Sequence, residues 1–251
     1  MILNQTWRAK GFVARLWRPV KSEEVSLFPH ATWFDIIAFN TAEGVRKLAG
    51  KKKERRLSIG EIKKLGEAIR IAEQNGEHPV ALTALRLMLL TGFRISEAQG
   101  IERDWLHADR GYVHFPDTKS DGQVRAIGPT AAQLAASQQV RKNCAYVFPS
   151  DVGDGHFTAT KSCLARLCAI AKIEGVTPHT LRHTFGSVPG ELGFSELTIA
   201  ALLGHCARGV TQGYVHIDEA LTLAMTRTCE EIASLLSAGL NDAAGAAREA
   251  A

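Results

Sequence analysis

The sequence predicts a mainly α-helical protein with one small antiparallel β hairpin. Apolar residues recur at helical spacing through most of the segment 58–237, the pattern of helices that bury one face. Between the helices, residues 111–128 read as two or three short strands around a Ser120-Asp121-Gly122 turn, and Asp-Gly between extended runs favours a hairpin. Hydrophobic residues make up 45% and charged residues 22% of the 251 residues, ordinary values for a globular protein with a core.

The first predicted helix has a clear start and a clear end. Ser58 and Glu61 form a capping box, in which each side chain satisfies a free backbone amide of the other residue. Apolar residues then follow at helical spacing until Asn75-Gly76 ends the helix.

The second predicted helix runs over 79–91 and is almost wholly apolar, which indicates burial on most sides. Pro79 suits its first turn, and Gly92 ends it. Arg94 is therefore expected just beyond a buried helix, a rigid mount for a charged side chain.

The hairpin and the later helices complete the predicted fold. Lys119 lies at the tip of the hairpin, immediately before its turn. Further helices are predicted near 159–172, from about 179, over 195–203 and over 218–237. The alanine-rich residues 238–251 have no hydrophobic face and are expected to form a flexible tail.

Pro189 should interrupt the helix that begins near His179. A proline inside a helix removes a backbone hydrogen bond and costs about 3 kcal/mol or more, and the neighbouring Gly186 and Gly190 lower the helical propensity further. We therefore predict a kink or a stop between Ser187 and Gly190.

Four short motifs carry the chemistry. In chain order they are Thr91-Gly92-Phe93-Arg94-Ile95-Ser96-Glu97-Ala98, His179-Thr180-Leu181-Arg182-His183, Leu202-Leu203-Gly204-His205 and Gly213-Tyr214-Val215-His216. Two arginines can grip the oxygens of a phosphate and neutralise charge in its transition state. A tyrosine with a nearby base can attack the phosphorus. The set supplies the parts needed to break a phosphodiester without a metal.

Each of these residues taken alone has an ordinary explanation. Arg94 could be a surface ion-pair partner, Lys119 a turn lysine and Tyr214 a packing residue. His179 and His183 at i, i+4 look like a metal pair, but the glutamate of HExxH is missing and Arg182 lies between them. The five cysteines contain no CxxC pair and read as small core residues. No metal or other cofactor is predicted.

Together, the four motifs resemble those of the tyrosine recombinases, the phage-integrase family, and the resemblance runs from about Asn40 to Ser237. It implies a mostly helical catalytic domain that cuts and rejoins DNA through a 3′-phosphotyrosine, without metal or ATP. By the same resemblance Arg94 and Arg182 are the phosphate clamp and Lys119 the general acid. His179 would be the base, His205 the second histidine and Tyr214 the nucleophile. Glu97 and His183 would support them through hydrogen bonds.

The resemblance also organises the N-terminal part of the chain. Residues 41–57 look like the family's basic linker, and five of its cations are expected to contact the DNA backbone: Lys51, Lys52, Lys53, Arg55 and Arg56. A solvated linker is the alternative reading of this cluster. Family members place a helical core-binding domain before the linker, whereas residues 1–40 are irregular and are expected to be a remnant or a replacement of it. The catalytic domain would span 58–237.

The resemblance implies double-stranded DNA as partner and a homotetramer assembled on two sites, with no membrane and no small-molecule substrate. No signal peptide or membrane span is recognisable, so a cytoplasmic protein is expected. Two alternatives remain at this stage. One is a truncated remnant of a mobile element that binds DNA weakly or not at all and does not recombine it. The other is a type IB topoisomerase, which uses the same chemistry without a partner site.

Overall fold

The centre of the fold is a buried helix with the predicted bounds. It spans Pro79–Thr91, and within it Ala81–Leu85 and Leu87–Thr91 are buried. Pro79 occupies its first turn and Gly92, with φ 65°, ends it. Most of the other described helices pack against this one, so the predicted mainly helical class is confirmed.

The structure is a computed structural model that describes residues 55–116, 122–205 and 219–249, with side chains up to residue 238. These residues belong to one compact unit. The helices in the described residues are α1 (Ile59–Gln74), α2 (Pro79–Thr91), α3 (Ile95–Gln99), α4 (Pro129–Ala136), α5 (Thr160–Ala171), α6 (Pro178–Glu191), α7 (Glu196–Leu202) and α8 (Glu219–Glu249). A 3₁₀ turn at Arg103–Trp105 precedes the sheet.

The predicted capping box and hairpin are both present. Ser58 accepts from the Glu61 amide while the Glu61 carboxylate accepts from the Ser58 amide, which starts α1. The hairpin consists of β2 (Tyr112–Phe115) and β3 (Gln123–Ala126), antiparallel, and β1 (Leu106–His107) adds a third strand beside β2. The turn with Lys119 lies outside the described residues.

Of the predicted kink or stop between Ser187 and Gly190, the stop is wrong, and the kink stays a prediction. Helix α6 continues through Pro189 to Glu191. Because Pro189 lies in the last turn, its missing amide affects one hydrogen bond near the helix end rather than the middle. The end is then closed by backbone bonds from Phe194 N–H to the Pro189 carbonyl and from Gly193 N–H to the Gly190 carbonyl, a Schellman arrangement.

The predicted end of the last helix near 237 is also wrong. Residues 238–249, expected as a flexible tail, continue α8 as far as Glu249. Alanine has the highest helix propensity, so this segment needs no apolar face to adopt helical backbone. The apolar stripe of α8 packs on its own domain, with Ala224, Met225, Cys229 and Ile232 buried.

The cysteines that the structure describes are core residues. Cys144, Cys163, Cys168 and Cys229 are buried and unbridged, and burial raises the pKa of the Cys163 and Cys229 thiols to about 11. None of the helices in the described ranges is both long and apolar enough to cross a membrane.

Candidate active site

Arg94 stands just beyond α2, at the first residue before α3. Its backbone N–H donates to Glu97 Oε2 at 2.8 Å, and its guanidinium pairs with Glu97 Oε1. Half of the Arg94 side chain, 50%, is exposed. Arg94 is therefore held at one edge by Glu97, while its remaining N–H groups are open to a ligand.

Arg182, on the first turns of α6, is the buried member of the predicted clamp. Its side chain is 5% exposed. Nη1 donates to the Gly92 carbonyl and Nη2 to the Leu203 carbonyl, both at 2.6 Å, and Nη2 also lies 3.1 Å from His205 Nε2. Arg182 thus joins the end of α2 to the end of α7.

Gly92 makes this junction possible. Its φ of 65° is a conformation that residues with a Cβ rarely adopt. A Cβ at this position would also lie 2.4 Å from Cδ1 of the buried Phe185. The glycine therefore lets α2 end against α6 and turns its own carbonyl toward Arg182.

Glu97 lies between three guanidinium groups. Besides pairing with Arg94, its Oε2 lies 3.6 Å from Arg125 Nη1 and 3.9 Å from Arg182 Nη1. Burial raises the Glu97 pKa, but the hydrogen bond from the Arg94 amide and the charges of Arg125 and Arg94 outweigh it and leave the pKa below its ordinary value. Glu97 is therefore an anion that binds the arginines together.

His179 and His183 lie on the exposed side of α6. Their rings meet edge to face with centroids 4.3 Å apart. Burial, followed by the neighbouring His183, Arg182 and Arg94, lowers the His179 pKa. His179 is consequently neutral at physiological pH, the state that a proton acceptor needs.

His205 follows α7 and reaches Arg182. Because a guanidinium only donates, His205 Nε2 accepts the bond and its ring is neutral with the proton on Nδ1. Burial lowers the His205 pKa, and the charges of Arg182, Arg94 and Arg125 lower it further. The structure therefore brings Arg94, Glu97, Arg182 and His205 together in one connected cluster.

Arg125 belongs to this cluster, and the sequence reasoning missed it. It lies on β3 with a side chain only 1% exposed, its Nη2 donates to the Leu202 carbonyl at 2.7 Å, and its Cζ lies 5.0 Å from the centre of the Phe93 ring. Burial, the largest cause, lowers the Arg125 pKa to about 10, so it remains a cation at neutral pH. An arginine in a hairpin strand ordinarily faces solvent, so no local signal marks it.

The other predicted site residues divide into two groups. Lys51, Lys52, Lys53, Lys119 and Tyr214 lie outside the described residues. Arg55 and Arg56 are described, and both pair with carboxylates of their own domain. Arg55 pairs with Glu61, and Arg56 pairs with Glu191 at 3.0 Å.

Metal ligands do not gather in the described ranges, where no group of three or more His, Cys, Asp or Glu side chains could hold an ion. His179 and His183 are the nearest approach to such a site. Arg182 lies between them in sequence, and after burial and His183 its positive charge also lowers the His179 pKa, so the surroundings of His179 disfavour a cation.

The comparison with known families identifies the protein family that has these motifs. The model described as "Phage integrase family" matches residues 55–220. The chain belongs to the phage integrase family. This match contains all four motifs, and it confirms the resemblance to tyrosine recombinases that the sequence indicates.

Individual relatives agree with this family membership. The tyrosine recombinase XerC of Xylella fastidiosa (strain M23) is 30% identical over 197 residues, 72% of this chain and 63% of that protein. The tyrosine recombinase XerD of Listeria innocua is 26% identical over 179 residues, 65% of this chain and 58% of that protein. The chain thus spans 58% to 63% of the length of these two relatives.

Solved structures show the same fold. The integrase from mycobacterium phage Brujita has a TM-score of 0.58 at 18% identity, covering 89% of this chain and 76% of that one. A lambda integrase dimer bound to a core site has a TM-score of 0.53 at 17% identity, covering 85% of this chain and 80% of that one. The small sheet and the surrounding helices are therefore the tyrosine-recombinase catalytic-domain fold.

Proposed function

We propose that this chain is a site-specific DNA recombinase that cleaves and rejoins double-stranded DNA through a 3′-phosphotyrosyl intermediate, without metal or ATP. The observation that carries the proposal is the cluster in which Glu97 joins Arg94 to Arg182, and Arg182 in turn contacts His205. A half-exposed arginine beside a buried one suits a phosphate that arrives from solvent.

In the proposed cleavage step, the scissile phosphate is bound by the exposed N–H groups of Arg94 and by Arg182. The Arg182 donor that now faces His205 is the one available for exchange, so the phosphate would take the place of His205 Nε2 on Arg182. His205 would then bind the phosphate or the surroundings of the nucleophile, as the family resemblance implies.

Bond making and bond breaking follow from the proposed roles. The Tyr214 oxygen forms a bond to phosphorus as the bond from phosphorus to the 5′ oxygen breaks. His179 accepts the phenol proton. The lowered His179 pKa makes the imidazole a weaker base, but it also keeps the imidazole neutral and therefore able to accept a proton. Lys119 gives a proton to the departing 5′ oxygen. The phosphodiester energy is retained in the phosphotyrosine, so rejoining is the reverse reaction.

Double-stranded DNA is the proposed partner, and a homotetramer on two sites is the proposed assembly. Two of the similar folds support the first point, because XerH is bound to its difH substrate and the lambda integrase dimer is bound to a core site. Lys51, Lys52, Lys53, Arg55 and Arg56 are proposed to contact the DNA backbone, which requires Arg55 and Arg56 to exchange their carboxylate partners for phosphates.

The test is covalent trapping on a library of nicked duplexes with randomised cores, followed by sequencing of DNA that stays attached to protein under denaturing conditions. Wild type should give an adduct, and Tyr214→Phe should give none. The chain has three tyrosines, so Tyr112→Phe and Tyr146→Phe are matched controls that should retain it. A folded wild-type protein that yields no adduct with any duplex would refute the proposal.

Further outcomes separate the alternatives. Selected duplexes supplied in pairs should give recombinant strands. Cleavage with relaxation of supercoiled plasmid and no recombinants would instead support a topoisomerase-like activity. Sedimentation with two selected sites should show a tetramer, and a complex that never reaches four protomers on a pair of sites would contradict the proposed assembly.

A further inference from the structure

Three consecutive carbonyls at the end of α7 are held by three side chains. The Leu202 carbonyl accepts from Arg125 Nη2 at 2.7 Å, the Leu203 carbonyl from Arg182 Nη2 at 2.6 Å, and the Gly204 carbonyl from Gln123 Nε2 at 3.0 Å. The last carbonyls of a helix lack partners within the helix and carry its partial negative charge. Two guanidinium groups and an amide supply these partners, immediately before His205.

Strand β3 provides two of the three donors. Gln123 and Arg125 alternate along the strand, so both side chains project from the same face toward the end of α7. One face of β3 therefore holds the segment 202–205 through the Leu202 and Gly204 carbonyls.

Gly204 fits closely against Arg125. Its φ is 66°, and a Cβ at Gly204 would lie 2.5 Å from Arg125 Nη1. The next residue, His205, donates its backbone N–H to the Ala200 carbonyl at 2.8 Å. The Arg125 guanidinium thus packs directly against Gly204, where the chain turns toward Arg182.

The burial of the Arg125 charge lowers the stability of the folded protein. Removing a charged group from water carries a penalty of about several kcal/mol even after the protein relaxes. Within the described residues, Arg125 Nε and Nη1 have no hydrogen-bond partner, and Glu97 lies 3.6 Å away. An apolar side chain would fill the same space without this cost, so the charge and its donors point to a role beyond packing.

We propose that Arg125 is a positioning residue that orients His205 and Glu97 around the phosphate site. The proposal rests on the proposed recombinase function. With a side chain 1% exposed, Arg125 does not reach DNA, so it acts through the Leu202 carbonyl, Gly204 and Glu97.

The first measurement uses the free protein and no DNA. Amide hydrogen exchange at Gly204 and His205 is compared between wild type and Arg125→Met, with the amides of α2 as an internal reference. The positioning role predicts that exchange at these two amides accelerates by about 10-fold or more, because a buried hydrogen bond to a charged donor is lost, while α2 is unchanged. Arg125→Lys, which keeps the charge but donates from a single nitrogen, should recover part of the protection.

The second measurement uses the adduct-forming duplexes selected with wild type. At saturating DNA, Arg125→Met should slow covalent-complex formation about 10-fold to 100-fold, the order of effect expected when catalytic groups are misplaced, with DNA affinity close to wild type. Arg103→Met is the matched control. Arg103 also donates to two backbone carbonyls, those of Gln138 and Gln139, but lies outside the cluster, and it should change neither measurement.

The outcomes separate the two proposals. If wild type forms no adduct, the recombinase function fails, while hydrogen exchange still judges the role of Arg125. If Arg125→Met leaves exchange and the adduct rate at wild-type values, the positioning role is overturned. If Arg125→Met does not fold, Arg125→Gln takes its place, and failure of both to fold would assign Arg125 to folding instead.

Discussion

His205 Nε2 accepts a hydrogen bond from Arg182 Nη2 at 3.1 Å. This contact requires a neutral imidazole, and it joins the two motifs of the site that lie on α6 and after α7. A phosphate bound by Arg182 competes for the same donor. The contact therefore describes the protein without DNA, and it marks the position where the phosphate of the proposed substrate would enter the cluster.

Arg94→Gln should raise the pKa values of His179 and His205 together. Burial is the largest cause that lowers both, and Arg94 contributes to both as a nearby cation. Histidine titration followed by NMR measures the change. Arg86→Gln, which removes an arginine paired with Glu73, should leave both values unchanged. If the pKa of only one of the two histidines rises in Arg94→Gln, Arg94 does not lower the pKa of both.

The same two histidines predict how stability depends on pH. Their folded pKa values lie below the ordinary value, so the unfolded chain takes up protons first as the pH falls. The free energy of unfolding should therefore decrease as the pH falls below about 6.5. In His205→Gln this decrease should be smaller when urea unfolding is measured across that range. An unchanged pH dependence in both His205→Gln and His179→Gln would contradict the prediction.

Glu97→Gln should destabilise the protein strongly. The variant leaves the buried Arg125 without its nearest anion, and breaking a buried ion pair on one side costs about 3–5 kcal/mol. Because the folded Glu97 pKa is lowered, its contribution is present above the unfolded pKa and is lost as the pH falls through the folded one. Urea denaturation at neutral pH measures the loss.

The control for Glu97 is Glu67→Gln on α1. Glu67 pairs with Arg70 at the surface, and surface pairs contribute little to stability because water and salt screen them. Equal effects of the two substitutions would show that Glu97 does not hold the arginines together.

Gly92→Ala should lower both stability and activity. The left-handed backbone conformation costs about 1–2 kcal/mol for a residue with a Cβ. The new Cβ would also lie 2.4 Å from the Phe185 side chain. Gly76→Ala is the matched control, because Gly76 has φ 77° with no atom within 4 Å of its Cβ position. The loss of unfolding free energy in Gly92→Ala minus the loss in Gly76→Ala measures the contact with Phe185. Equal losses in the two variants would show that this contact does not contribute.

Arg94→Lys should fold normally and slow covalent-complex formation by about 100-fold or more. Lysine keeps the charge but loses the planar pair of donors that grips a phosphate, and loss of one donor at a developing charge costs about this much. The rate at saturating DNA is the measurement. Arg70→Lys, at an exposed pair on α1, should react like wild type, and a wild-type rate in Arg94→Lys would exclude a bidentate grip.

The start of α1, the end of α2 and the β2–β3 hairpin were predictable because their signals are local. Ser58 and Glu61 satisfy each other within one turn, and Gly92 ends α2 by its own backbone preference. Pro189 shows where such reasoning fails. Its cost depends on how far it lies from the helix end, and that end is set by the backbone bonds of Gly193 and Phe194.

The sequence by itself determined the helical class, the hairpin and the motifs that contain Arg94, Arg182 and His205. These features depend on apolar spacing, capping residues and residue chemistry, which can be read from residues close together in the sequence. Only the tertiary structure decided that Glu97 joins the arginines and that Arg125 turns inward to the Leu202 carbonyl at the end of α7. A strand's polar residues carry no local sign of which face is buried. That choice depends on what packs against the sheet, here the carbonyl end of α7.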